Sequence, residues 1–185
     1  MCIRDRQCIG MDSGEIQCTK TGISGIPAFQ LCHPVSALWE QTKQTGGQIT
    51  GMIDFYPEMT EEELVCFIKK QEKQFHLSDI LSGMLHKKCV KEVLRRGNTP
   101  EKAASVLKAF SFPITGTAGF EKAQVTAGGV PLQEINMQTM SSKKVEGLYL
   151  TGELLDADGI CGGYNLQWAW STAYLSAEDI IKRGK

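Results

Sequence analysis

The sequence has no strong charge of either sign, no metal-ligand spacing and no long apolar run. Its 20 basic residues face 21 acidic ones, a net charge of −1, so the electrostatic footprint of a nucleic-acid or anionic-membrane partner is missing. No apolar run approaches the ~18 residues that cross a bilayer, and the opening MCIRDR has no apolar signal core. His33, His76 and His86 share no ligand-like spacing, and surface or capping positions suit them better than catalysis. The seven cysteines (Cys2, Cys8, Cys18, Cys32, Cys66, Cys89 and Cys161) are odd in number, scattered and without a C-x-x-C pair, which argues against a disulfide scaffold or a zinc site. They read as reduced, mostly buried thiols of a soluble cytoplasmic protein with no metal.

What is present is enough for a core, with 42% apolar residues over 185 positions. Residues 1–13 show neither periodicity nor a cap, and residues 14–19 then read as a short strand. A turn-rich loop, residues 21–27, leads to a helix over residues 28–39, with Pro27 suited to its first turn. The pair Gly46-Gly47 closes that stretch, and residues 48–55 read as a strand with Ile49, Met52, Ile53 and Phe55 as its apolar members.

From Pro57 the composition shifts to charged helix formers. Thr60-Glu61-Glu62-Glu63 is a capping box, so a helix starts there with Leu64, Phe67 and Ile68 buried. A second helical stretch spans residues 78–96, bent near Ser82-Gly83 and ended by Gly97 in the left-handed conformation; Thr99-Pro100-Glu101 caps a third. After Pro113, residues 114–117, 123–126 and 148–151 read as short strands. In residues 165–181, Leu166, Ala169, Trp170, Ala173, Tyr174, Ala177, Ile180 and Ile181 recur at helical spacing as a buried stripe, whose alanines let the helix lie close to a sheet.

The order of strand 148–151, glycine loop and amphipathic helix is half of a nucleotide-binding α/β unit. Gly152 and Glu153 fall at the strand's C-terminal end, where open α/β sheets bind ligands, and Gly159, Gly162 and Gly163 allow close backbone approach. Glu153 can accept from sugar hydroxyls, and the N–H groups opening the helix at Asn165 can donate to an electron-rich ring oxygen. The same glycines also suit a plain tight turn with Glu153, Asp156 and Asp158 as solvated acids, and spacing alone does not separate the two readings.

The run GLYLTGELLDADGICGGYNLQWAWSTAYLSAEDII, residues 147–181, resembles the closing segment of the bacterial flavoproteins called HI0933-like, also described as the aminoacetone oxidase or BaiN-like family. Residues 112–150 and 14–32 (GEIQCTKTGISGIPAFQLC) resemble the same family in the same order. The resemblance implies an α/β fold, Rossmann-like, in which an N-terminal unit holds the ADP half of FAD and barrel-like and helical inserts precede the return of the chain to the flavin. No G-x-G-x-x-G occurs in this sequence, and that fingerprint supplies the pyrophosphate site. The chain therefore reads as a C-terminal fragment: an unmatched leader over 1–13, the end of the barrel-like insert over 14–56, a helical insert over 57–111 and the last part of the FAD-binding domain over 112–185.

Carried over residue by residue, the resemblance implies that Gly152 and Glu153 approach the ribityl and pyrophosphate region. Gly162, Gly163, Tyr164 and Asn165 would lie beside the flavin ring, Asp158 and Gly159 would shape the turn, and Thr126, Ala127, Gly128 and Gly129 would cross back toward it. Residues 21–25 would face the site from the insert. No side chain stands out as acid, base or nucleophile, as expected where a cofactor carries the electron chemistry. The expected activity is FAD-dependent oxidoreduction of a small organic molecule, with NAD(P)H as a candidate donor. The rival expectation is a non-catalytic module that binds no cofactor on its own. Trp170, on the regular face, is expected in the core.

Overall fold

A computed structural model describes residues 1–4 and 7–184. In chain order its strands and helices are β1 (Cys2–Arg4), β2 (Gln7–Gly10), β3 (Gln17–Cys18), β4 (Ile23–Ser24), α1 (Ile26–Thr45), β5 (Ile49–Ile53), α2 (Glu61–Gln71), α3 (Leu77–Met84), α4 (Lys87–Arg96), α5 (Pro100–Lys108), β6 (Phe110–Ile114), β7 (Ile135–Asn136), β8 (Ser141–Ser142) and α6 (Tyr164–Arg183). Helices and sheets mix along the chain, in keeping with the α/β class. Two compact units form, one from Met1–Met11 and Ala37–Thr115, the other from Asp12–Ser36 and Gly116–Lys185.

The first unit joins an antiparallel sheet, in the order β2-β1-β5-β6, to the helices α2 to α5. Strand β5 pairs with β1 through Cys2↔Gly51 and with β6 through Gly51↔Phe112. The reading of residues 1–13 as patternless is corrected here. Three residues against a partner strand need no periodicity of their own when that partner supplies the hydrogen bonds. Helix α2 starts as expected: Glu63 N–H donates to Thr60 Oγ1 at 3.2 Å and Thr60 N–H to Glu63 Oε2 at 2.8 Å. Leu64, Ile68, Leu81, Val93, Ala103, Ala104 and Leu107 are fully buried together.

Local corrections follow from neighbours. The second helical stretch is two helices, broken at Leu85-His86 rather than at Ser82-Gly83. Gly97 ends α4 in an extended conformation, φ −153°. It is glycine because a Cβ there would sit 2.6 Å from the Lys102 carbonyl carbon, not because the helix ends left-handed. Residues 123–126 and 148–151 form no strand; Tyr149 makes only an isolated bridge to Ser141.

In the second unit Ile135, Met140 and Leu155 form a small core, packed by Val130, Leu132, Leu150, Trp168 and Leu175. Helix α6 meets that core through Trp168, Thr172, Leu175 and Ser176, so its expected inward stripe is turned the other way. Leu166 is 70% exposed, Trp170 75%, Tyr174 64% and Ile181 61%. The periodicity marked the apolar side correctly, but periodicity cannot say whether the described chain covers it. Trp170, expected in the core, is exposed, while Trp168 is half-buried. The cysteine expectation is also corrected, since only Cys2 is buried while Cys8, Cys18, Cys32 and Cys66 are exposed.

No helix among the described residues is long and apolar enough to cross a membrane.

Candidate functional site

Two of the segments singled out by sequence, residues 126–129 and 152–153, are joined in the second unit. Thr126 N–H donates to Glu153 Oε1 at 2.6 Å, across 27 residues of chain. Beside it, Val130 N–H donates to Leu154 O and Asp156 N–H to Val130 O, both at 2.9 Å. The two backbone bonds make a single parallel bridge between Val130 and Leu155. Gly129, at φ +142°, makes the approach possible, because a Cβ would stand 2.7 Å from Leu154 O.

The turn at Gly152 is buried and fixed from α6. Its N–H donates to Thr172 Oγ1 at 2.9 Å, and its carbonyl accepts from Trp168 Nε1 at 3.1 Å. Both polar groups of the peptide are thus satisfied by side chains one helical turn apart, which explains a threonine at a buried position of α6. Farther along the helix Tyr149 Oη donates to Asp179 Oδ2 at 2.5 Å, and that carboxylate beside it pushes the Tyr149 phenol upward.

The glycine loop, residues 158–163, precedes α6. Asn165 turns its amide back on the loop: Gly159 N–H donates to Oδ1 at 2.7 Å, and Nδ2 donates to Gly159 O at 3.1 Å. The Asn165 side chain therefore clasps the turn, leaving its backbone N–H for any ligand. Gly163 caps α6 in the left-handed region, φ +90°, with no side chain to cap the helix. The earliest α6 turn bond of that end runs from Gln167 N–H to Gly163 O at 3.0 Å. The N–H groups of residues 164–166 consequently have no acceptor within the helix. A Cβ on Gly128 or Gly163 would meet nothing within 4 Å.

Two residues that sequence reasoning passed over reach this loop from α1. Gln30 Oε1 accepts from Cys161 N–H at 2.9 Å, and His33 Nδ1 stands 2.9 Å from Asp158 Oδ2. His76 and His86 occupy N-cap positions of α3 and α4. Residues 21–25 form the β3–β4 turn and lead straight into α1. Among the described residues no group of three or more His, Cys, Asp or Glu is placed to hold a metal ion. Gly128 and Gly163 leave open space for a Cβ, the first N–H groups of α6 have no side-chain cap, and the Glu153 carboxylate faces Thr126 N–H.

Residues 36–179 match the HI0933-like protein Rossmann domain. The chain is 39% identical to the 3-dehydro-bile acid delta(4,6)-reductase of Clostridium scindens, over 96% of this chain and 46% of that protein. It is 34% identical to the ribosomal RNA dihydrouridine synthase of Haemophilus influenzae, over 89% of this chain and 42% of that protein. The same-named protein of Escherichia coli is 31% identical, over 88% and 41%. The chain thus spans somewhat under half the length of the curated relatives it matches. With the family's Rossmann domain matched over most of its residues, this chain belongs to the HI0933-like family.

Proposed function

We propose that this chain forms the flavin-side part of an FAD-dependent reductase that adds hydrogen across an activated carbon–carbon double bond of a small organic molecule. The observation that carries the reading is the joining of Thr126 to Glu153 in the same unit as the uncapped end of α6, within the region matched to the family's Rossmann domain. The names of the relatives support the reaction type. A delta(4,6)-reductase and a dihydrouridine synthase both describe two-electron saturation of a conjugated double bond, one in a steroid and one in a pyrimidine. FAD, when bound, supplies the hydride transfer, with NAD(P)H as the proposed donor.

This chain's own residues bind and orient. The first-turn N–H groups of α6 donate toward a ring oxygen, and the positive helix end favours negative charge there. Glu153 has a second carboxylate oxygen for a ribityl hydroxyl. In a polypeptide of the relatives' length, the outward stripe of α6 is the surface for a Rossmann sheet: Ala173 and Ala177 at its centre admit close approach, and no charged residue interrupts it. Residues 57–111 remain proposed as a helical insert.

The test is the visible spectrum after desalting. The 185-residue chain should be colourless, and the same chain joined to a matching N-terminal Rossmann segment should be yellow. Glu153→Ala in the joined protein should weaken FAD by about 1 to 3 kcal/mol, because it removes an acceptor from the site and frees Thr126 N–H. A folded but colourless joined protein refutes the flavin reading. A second reading, an RNA substrate, is favoured by the two dihydrouridine synthases and opposed by the net charge of −1. Assaying the yellow protein with a steroid dienone and with unmodified ribosomal RNA separates them.

A further inference from the structure

The glycine pair adds no side chain that would fix the loop beyond the Asn165 clasp. Gly162 and Gly163 sit at φ +127° and +90°, and glycine loses more backbone freedom on ordering than any other residue. Asn165 fixes the loop only at Gly159. The Ile160–Cys161 peptide, one residue before the two glycines, is held from elsewhere: Cys161 N–H donates to Gln30 Oε1 at 2.9 Å, across 131 residues of sequence. Gln30 and His33 are three apart on α1, so they share a face, and they meet the loop at Cys161 and Asp158 respectively.

We infer that Gln30 is a positioning residue for the flavin-binding loop. Its amide oxygen orients the Cys161 peptide and so sets the direction of Gly162, Gly163 and the first N–H groups of α6. This rests on the flavin reading proposed above. Gln30 itself contributes no reacting group. What it supplies is an acceptor at a fixed height on α1, with the His33–Asp158 contact as a second point that stops the loop rotating about the first. Pro27 and Val35, on either side of Gln30 in α1, are buried.

The experiment compares Gln30→Met, which keeps the side chain's length and removes the acceptor, with Gln30→Glu, which keeps an acceptor oxygen. In the 185-residue chain, alkylation of Cys161 by iodoacetamide is followed by peptide mass spectrometry. Cys32, exposed on the same helix, serves as the internal control. Gln30→Met should raise the Cys161 rate by about fivefold, the size of one lost hydrogen bond, while Cys32 is unchanged; Gln30→Glu should return it to the wild-type rate. In the protein joined to its Rossmann segment, the Kd for FAD should rise by about fivefold in Gln30→Met and recover in Gln30→Glu. Wild-type Cys161 labelling and FAD affinity in Gln30→Met overturn the positioning role. Equal loosening by Met and Glu overturns the acceptor role. A joined wild-type protein that binds no FAD, while Cys161 still responds to Gln30→Met, overturns the flavin reading instead and leaves the hold on the loop standing.

Discussion

Helices α2 to α5 and helix α6 solve the same problem in opposite ways. The four helices bury their apolar residues against one another, with Leu64, Ile68, Leu81, Val93 and Leu107 inaccessible to solvent. Helix α6 instead spends its inward side on polar anchoring, through Thr172, Trp168 and Asp179. Its apolar side faces out. The first arrangement is self-sufficient. The second is an element anchored by hydrogen bonds and a small apolar contact, with Leu166, Trp170, Tyr174 and Ile181 exposed on the face proposed above for a Rossmann sheet.

The contrast should first show in core deletions. Leu107→Ala should cost the helical unit about 2 to 5 kcal/mol, from lost transfer energy plus the cavity left, read by urea denaturation followed by circular dichroism. The matching substitution on α6, Trp170→Gln, should change the stability of the 185-residue chain by no more than about 0.5 kcal/mol. In the protein joined to its Rossmann segment the same change should cost several-fold more. An equal cost in both would remove the distinction drawn here. Thr172→Val should destabilise the second unit by about 1 to 3 kcal/mol by leaving Gly152 N–H buried without an acceptor, measured by the same denaturation with tryptophan fluorescence.

Smaller effects sharpen the helical side. Thr60→Ala removes the α2 cap and should cost about 1 kcal/mol, visible as a lowered denaturation midpoint. Arg95 first, then Arg96, hold the Glu92 carboxyl down to about 2 from an ordinary 4.5 by hydrogen bonding. Because the folded value is depressed, this contribution is complete above about pH 4.5 and disappears as the pH falls toward 2. In Glu92→Gln, the loss of stability between those pH values should be shallower than in the wild type, and an identical acid profile would show the pair to be energetically silent.

Where local chemistry decides the structure, the sequence was readable. The Thr60–Glu63 box, the Thr99-Pro100 start of α5 and strand β5 depend on residues within a few positions of each other. Where a distant neighbour decides, it was not. Gly97 looked like a helix terminator and proved to be a point of close approach to Lys102. Residues 148–151 have a strand's composition, yet the two-residue strand β8 beside them offers only one bridge, Ser141 to Tyr149. In the candidate site, the glycines and Glu153 are singled out by spacing and resemblance. Gln30 and His33 are not, because a polar residue on a helix carries no local sign that a loop 131 residues away needs its oxygen.

The bare end of α6 carries one more consequence, for the clock rather than the balance. With Gly163 as its cap and no side chain to close the first turn, the amides of residues 164–166 are the natural place for the helix to open and trade hydrogen with solvent. Any acceptor arriving there closes that door, so the exchange lifetimes of three neighbouring amides record occupancy of the site even for a ligand that is colourless, undergoes no reaction and leaves the rest of the fold unmoved.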